Sequence, residues 1–148
     1  MKLEDLDPKT LPTHVYEVMI REHHLDTFGH VNNAQYLVLC EEARWEMITA
    51  RGYGLKQVHE HKVGTVVLEC SVRFKRELKL REKIKIHTHV TGVSKKILTL
   101  GHVIVKENGE VAAEATYKMG CFDLAQRKLL IPDELWLGAI TGILKSDF

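Results

Sequence analysis

The most constraining feature of the sequence is a long region of period-two alternation. Between residues 64 and 123 four stretches alternate apolar and polar residues, which is the pattern of strands with one buried face. These stretches are GTVVLECSVRFKRE, EKIKIHTHVTGV, KILTLGHVIVKE and EVAAEATYKMGCFD. Asn108-Gly109 separates the last two and is a strong signal for a two-residue hairpin turn. The region therefore predicts an antiparallel sheet with at least four long strands.

One long helix is predicted before these strands. From Ala34 to about Arg51 apolar residues recur at intervals of three and four, and Gly52 follows in a position suited to a left-handed cap. A helix of that length extends about 25 Å, enough to cross a sheet. A shorter strand, HVYEVMIRE, precedes it, and Pro132 is expected at the first helical position of a short C-terminal helix within IPDELWLGAITGIL.

These elements fit together in one way. A helix with a single apolar stripe and a curved antiparallel sheet each bury one face against the other. The predicted class is therefore α+β, with one long helix wrapped by about five strands in a single domain over residues 1–148. Simple alternation in the first long strand predicts one core-facing set of side chains, namely Val66, Leu68, Cys70, Val72 and Phe74.

Composition excludes several classes of protein. Lys and Arg number 21 against 20 Asp and Glu, which gives a net charge of +1 and argues against a general nucleic-acid binder. Cys40, Cys70 and Cys121 are odd in number and lie in apolar patterns, so three buried thiols in a reducing compartment are expected. The acidic N-terminal segment lacks the apolar run of a signal peptide, and no stretch reaches the roughly 18 apolar residues of a membrane span. We expect a cytoplasmic protein that does not bind a membrane.

The polar segment before the long helix is the main candidate for a functional site. Asp26, Gly29, His30, Asn32 and Asn33 occur within eight residues. Turn formation and helix capping explain such a composition without any chemistry. A helix N-terminus also collects unpaired N–H groups and partial positive charge, so it can stabilise an oxyanion. A carboxylate just upstream of it, Asp26, would supply the nucleophile or general base that acyl transfer needs.

The same residues carry a resemblance to a known family. The pattern D-x-x-G-H-V-N-N-x-x-Y, from Asp26 to Tyr36, resembles the hotdog-fold acyl-CoA thioesterases, in particular the 4-hydroxybenzoyl-CoA thioesterase-like group, which is related to the acyl-ACP thioesterases. The resemblance covers nearly the whole chain, because the order of the predicted elements is also the hotdog order. It implies hydrolysis of an acyl-CoA or acyl-ACP thioester to an acid and a thiol, without a metal or redox cofactor. It also implies a homodimer, or a homotetramer built from dimers, with each site at the dimer interface.

The resemblance assigns roles to individual residues. Asp26 corresponds to the catalytic aspartate, as nucleophile or as general base for water, and backbone N–H groups near Asn33 and Ala34 correspond to the oxyanion site. His30 and the side chain of Asn33 are expected to orient the loop or the substrate. The plant-type enzymes carry an asparagine two residues after the aspartate, where this chain has Phe28. An Asp-Asn-His constellation is therefore incomplete here.

Further residues are secondary candidates. Glu41 lies beside the apolar stripe of the helix, where it is expected to pair with Arg44. An acyl pocket is expected to include Tyr36, Cys40, Val66 and Leu68. Five basic residues are candidates for the coenzyme A phosphates, although each also suits the solvent face of a strand; they are Arg73, Lys75, Arg76, Lys95 and Lys96.

Other functions remain open on the sequence alone. The histidine pairs His59-x-His61 and His87-x-His89, with His102 on the next strand, have a spacing compatible with metal binding. No further ligand cluster accompanies them, so they are interpreted as solvated histidines and no metal site is predicted. The alternative functions are a hotdog hydratase or dehydratase acting on acyl thioesters and a non-catalytic acyl-CoA-binding module.

Overall fold

The computed structural model describes residues 3–143 of the chain. Six strands form the sheet: β1 (His14–Met19), β2 (Val63–Phe74), β3 (Lys83–Ser94), β4 (Ile97–Lys106), β5 (Val111–Asp123) and β6 (Lys128–Leu129). Three α-helices accompany it: α1 (Asn33–Ala50), α2 (Leu55–His61) and α3 (Glu134–Thr141). Short 3₁₀ helices span Leu3–Asp5, Pro8–Thr10 and Glu22–His24.

The sheet is antiparallel, and its order leaves β2 at an edge. The main path is β1-β3-β4-β5-β2, and the short β6 pairs with β5. The β4–β5 connection is the hairpin predicted at Asn108-Gly109, where Gly109 has a φ of +87°, a conformation that favours glycine. Within the described part of the chain no strand pairs with the outer edge of β2. This edge is therefore free to pair with a strand of another chain.

Helix α1 packs its apolar stripe against the concave face of the sheet. Its buried residues recur at helical spacing, as predicted; they are Tyr36, Leu39, Cys40, Ala43, Met47 and Ile48. The helix begins at an N-cap formed by Asn32, and Gly52, with a φ of +90°, lies just beyond its last turn. The predicted long helix and its boundaries are confirmed to within a residue.

A β-bulge in β2 corrects the face predicted for this strand. Val67 pairs with Met119 and Glu69 pairs with Lys118, so Leu68 is an extra residue without a partner. The bulge places Thr65 and Val67 on the concave face together with Cys70, Val72 and Phe74. The prediction is therefore wrong for Val66 and Leu68, which do not line the concave face. Simple alternation fails here because it assumes a strand without inserted residues.

Two other local predictions, those for Pro132 and Cys70, are also corrected, and one short helix was not predicted. Helix α2 was not predicted, because its seven residues carry only one buried side chain, Val58. Pro132 precedes α3 rather than opening it, since Asp133 is the N-cap and its carboxylate accepts a hydrogen bond of 2.8 Å from the N–H of Trp136. Leu144, the last residue of the predicted C-terminal helix, lies outside the described residues. Cys40 and Cys121 are buried as predicted, but Cys70 is exposed on the edge strand.

A polar cluster is buried between α1 and the sheet. The Nη1 of Arg44 lies 3.2 Å from Nε2 of His102, and the Nδ1 of that ring lies 2.9 Å from the hydroxyl of Thr88. Because a guanidinium only donates, Nε2 is the acceptor, and the neutral ring therefore donates from Nδ1 to Thr88. His102 and Thr88 are fully buried, so the prediction of a solvated histidine is wrong for His102.

The face of the molecule formed by α1 and β2 exposes several large apolar side chains. Leu37, Val38 and Trp45 of α1 are each about 40% exposed, and Val67 and Phe74 of β2 are similarly exposed. Several exposed apolar side chains on two elements that line the same cavity, such as Trp45 and Val67, are typical of a binding or subunit interface. Within residues 3–143 no helix is long and apolar enough to cross a membrane.

Candidate active site

The loop that carries the motif is fixed by backbone hydrogen bonds before α1 begins. The N–H of Asp26 donates to the carbonyl of His30 at 2.9 Å, and a bridge joins Leu25 to Val31. Gly29 closes the turn between them with a φ of +85°, which L side chains rarely adopt. The N–H of Val31 then donates at 2.9 Å to the carbonyl of Leu78, which ties the loop to the segment after β2. The motif therefore forms a rigid turn that presents its side chains toward the helix N-terminus.

The N-terminus of α1 has one unoccupied backbone donor beside the loop. The side chain of Asn32 accepts a hydrogen bond of 2.9 Å from the N–H of Ala34, so this donor is already used by the cap. The N–H of Gln35 donates to the carbonyl of Asn32 at 2.9 Å. Among residues 3–143 the N–H of Asn33 donates no hydrogen bond. Of the two predicted oxyanion donors, Asn33 is therefore the one that can bind a substrate oxygen without opening the cap.

Asp26 and His30 are brought together, and a third residue joins them. Oδ1 of Asp26 accepts a hydrogen bond of 2.8 Å from the N–H of Phe28, and Oδ2 lies 3.2 Å from Nε2 of His30. The opposite ring nitrogen, Nδ1, lies 3.2 Å from Oε2 of Glu77. The imidazole is thus held between two carboxylates: Nδ1 is hydrogen-bonded to Glu77, and Nε2 lies at ion-pair distance from Asp26.

Glu77 is the residue that sequence reasoning missed. It follows the end of β2 and is separated from His30 by 47 positions, so no local spacing connects the two. Its hydrogen bond with His30, and a second contact with Lys79 at 3.3 Å, lower the pKa of the Glu77 carboxyl. An acidic residue in an otherwise basic strand end, FKRELK, was the only available signal.

These side chains open onto a cavity of about 620 Å³. Tyr36 of α1 and Phe74 of β2 form its apolar wall, with ring centroids 5.0 Å apart in an edge-to-face arrangement. Phe28 stands at its mouth and is 85% exposed, with its ring edge-on to His30 at 6.1 Å. The cavity therefore combines an apolar wall with convergent polar groups, which is the usual character of a small-molecule site.

Glu41 lies away from this cavity. It is exposed on α1 two turns after Asn33, or about 12 Å along the helix. The expected ion pair with Arg44 is not formed, because Arg44 turns inward to His102. Glu41 and Arg44 instead line a second cavity of about 230 Å³, together with Trp45, Val67 and Met119.

Two of the basic candidates lie beside the site but are paired internally. Lys75 contacts Glu114 at 3.0 Å, and Arg76 contacts Glu110 at 2.9 Å. Both residues line the cavity wall. Arg73 is exposed and pairs across the sheet with Glu114 in register. A phosphate group would therefore compete with carboxylates for Lys75 and Arg76.

Lys95 and Lys96 are not brought to the site within one chain. They form the turn between β3 and β4, and the carbonyl of Lys96 lies against Gly120, which pairs with Val66. Val66 is eight residues from Phe74, or about 26 Å along the strand. These two lysines lie at the opposite end of the sheet from Asp26.

The two buried cysteines are held as neutral thiols, and residues 3–143 contain no cluster of metal ligands. Burial raises the pKa of the Cys40 and Cys121 thiols to about 11 each, so neither is a thiolate at neutral pH. The described residues contain no group of three His, Cys, Asp or Glu side chains that could hold a metal ion.

Comparison with known proteins identifies the family. A model of the Thioesterase-like superfamily matches residues 20–137, and the chain belongs to this superfamily. It is 31% identical over 115 residues to the long-chain acyl-CoA thioesterase FadM of Escherichia coli, covering 77% of this chain and 86% of that protein. It is 28% identical over 123 residues to the chloroplastic acyl-acyl carrier protein thioesterase ATL3 of Arabidopsis thaliana, covering 82% of this chain and 65% of that protein.

Solved structures agree on the fold. The thioesterase-named YbaW protein of Escherichia coli has a TM-score of 0.75 at 30% identity, over 86% of this chain and 98% of that chain. A Staphylococcus aureus protein solved in complex with CoA has a TM-score of 0.82 at 17% identity, over 89% and 84% of the two chains. The predicted hotdog fold is confirmed, and so is the prediction that the chain is a thioester hydrolase.

Proposed function

We propose that the chain hydrolyses acyl-CoA thioesters and that Asp26 carries the chemistry. The observation that carries this proposal is the Asp26–His30–Glu77 arrangement beside the free N–H of Asn33. A carboxylate and an oxyanion donor at one cavity are the two parts that acyl transfer requires. The acyl-CoA substrate is supported by the similarity to FadM, whereas the similarity to ATL3 keeps an acyl carrier protein as the alternative donor of the acyl group.

The reaction follows from these positions. The thioester carbonyl oxygen accepts the hydrogen bond of Asn33, and Asp26 either attacks the carbonyl carbon or takes a proton from the water that attacks it. The oxyanion then collapses, the C–S bond breaks, and the thiolate leaves and takes up a proton. If Asp26 attacks directly, water hydrolyses the resulting anhydride in a second step. His30 positions the Asp26 carboxylate, and Glu77 positions His30.

The substitution Asp26→Asn tests the proposal. It removes the charge and keeps the hydrogen bond from Phe28, so we expect thiol release to fall by at least about a thousandfold while circular dichroism and molecular mass stay unchanged. Release is measured with a thiol reagent over acyl-CoAs of graded length and one aryl thioester. Single turnover in ¹⁸O-labelled water distinguishes the two roles, because only a nucleophilic Asp26 acquires the label. Near-normal hydrolysis by the variant would refute the assignment.

We further propose that the functional unit is a cytoplasmic homodimer formed through β2, alone or paired into a homotetramer. Three observations support the dimer: β2 is an edge strand, its concave face is exposed, and α1 presents Leu37, Val38 and Trp45 beside it. A two-fold interface extends the sheet antiparallel from one copy to the next. The free thiols suit a reducing cytoplasm.

This dimer would supply basic groups that the single chain does not bring to its site. Antiparallel pairing of two β2 strands puts the Val63 end of one copy beside the Phe74 end of the other. Lys95 and Lys96 of the second copy then lie at the end of the sheet that holds Asp26 of the first. Neither lysine forms an ion pair within residues 3–143, so both are free to bind the CoA phosphates.

A further inference from the structure

The active-site cavity and the second cavity lie at opposite ends of the seam between α1 and β2. Both cavities are lined by these same two elements: Tyr36 and Phe74 at one end, Trp45 and Val67 at the other. Cys40 and Cys70 face each other between them, close enough to interact electrostatically. Because the acid portion of a thioester extends away from the carbonyl carbon, the cavity of about 230 Å³ is where its far end would lie.

The wall of that second cavity contains a cation, Arg44, that forms no ion pair within residues 3–143, although Glu41 lines the same cavity. Within residues 3–143 Arg44 contacts no carboxylate at ion-pair distance, and its Nη1 is held by the neutral ring of His102. The ring of Tyr117 lies 4.1 Å from the guanidinium carbon and supports its face. The hydroxyl of Tyr117 is buried and lies close to Arg44 and to Cys40.

The position of Arg44 is fixed by contacts with the sheet. His102 cannot rotate freely, because its second nitrogen is bonded to the buried hydroxyl of Thr88. A guanidinium has five N–H groups, so most of its donors remain available after the bond to His102. The donors of Arg44 that face the cavity can therefore hydrogen-bond to an anion that enters it.

We propose that Arg44 binds a carboxylate at the far end of the acyl group, so that the enzyme favours acyl-CoAs of ω-carboxylic acids. This inference rests on the proposed acyl-CoA hydrolysis and names its substrate class. Arg44 lies eleven residues after Asn33, or about 16 Å along the helix. Each methylene of an extended chain advances about 1.3 Å, because its bonds of about 1.5 Å zigzag. The spacing corresponds to about 12 or 13 carbons.

The test compares three acyl-CoAs of equal length: the ω-carboxyacyl, the ω-hydroxyacyl and the plain alkyl thioester, each with 10, 12 and 14 carbons. We expect kcat/KM of the wild-type protein for the ω-carboxyacyl group to exceed that for the alkyl group by about tenfold or more, as for a charge-assisted hydrogen bond. Arg44→Met should lower this ratio toward one. Lys56→Met removes a cation on the exposed surface of α2 and should leave the ratio unchanged.

Several results would overturn the proposal. A wild-type preference for the alkyl or the ω-hydroxyacyl group at every chain length would overturn it, and this measurement needs no variant. An equal loss of kcat/KM by Arg44→Met for all three substrates would show a structural role. An unchanged ratio with weaker dimerisation would show that Arg44 pairs with a carboxylate of a second copy. Hydrolysis of alkyl-CoA without any preference refutes this inference alone, whereas no thiol release from any acyl-CoA refutes the proposed function as well.

Discussion

The buried His102 makes stability depend on pH in a way that can be calculated. Burial, with the nearby charge of Arg44, lowers the pKa of His102 from 6.5 to about 3. The folded protein therefore keeps the ring neutral where the unfolded chain binds a proton. Its contribution to stability is fully present above pH 6.5 and is lost progressively as the pH falls toward 3. At 1.36 kcal/mol per unit, the loss is about 3 kcal/mol at pH 4.5 and about 5 kcal/mol when complete.

The substitution His102→Gln isolates this effect. Glutamine offers an acceptor for Arg44 and a donor for Thr88, but it does not titrate. We expect urea unfolding to show a drop in the free energy of unfolding between pH 7 and 4.5 that is about 3 kcal/mol larger in the wild type than in the variant. His14 and His24, whose pKa values are also lowered by burial, are present in both proteins and cancel in the difference. If the free energy of unfolding fell equally with pH in the wild type and the variant, measured at one protein concentration, the neutral buried ring would be refuted.

Two further predictions concern the active site. Glu77→Gln should lower kcat/KM about tenfold, mainly through kcat, because His30 loses the carboxylate that holds its ring beside Asp26; an unchanged kcat would exclude this role. Refolding an equal mixture of Asp26→Asn chains with chains carrying Lys95→Ala and Lys96→Ala should restore wild-type kcat/KM at about a quarter of the sites, since half of the dimers are mixed and each contains one intact site. No restoration would place the lysines in the same chain as their Asp26 or outside the site.

The sequence was sufficient for the fold because its two periodicities are long and uninterrupted. The helix stripe persists over five turns and the alternation over four strands, so local exceptions do not change the class. The bulge at Leu68 could not be predicted from the sequence, because an inserted residue changes the pairing partners and not the residue types around it. Helix α2 was missed for a similar reason, since seven residues with one buried side chain carry little periodic signal.

The candidate site was predictable only where its residues are close in sequence. Asp26, His30 and the helix N-terminus lie within one motif, and the structure brings the first two into contact. Glu77 reaches His30 only through the return of the chain along β2, which no spacing rule reports. Likewise, Arg44 was expected to pair with Glu41 one turn away, but the buried acceptor on β4 competes successfully for the guanidinium.

The extra residue in β2 also affects how this region can change during evolution. Deleting Leu68 would remove the bulge and restore simple alternation, so that Val67, Cys70 and Phe74 would all stay on the concave face. Deleting Leu68 together with Glu69 would instead turn Phe74 to the opposite face and put Lys75 in the active-site wall, so two adjacent deletions are more disruptive than this single one. An alignment that places a one-residue gap on the wrong side of this position would assign the substrate-facing residues of relatives to the outer surface. Comparisons of acyl specificity across the superfamily should be anchored on the Val67–Met119 and Cys70–Tyr117 pairs.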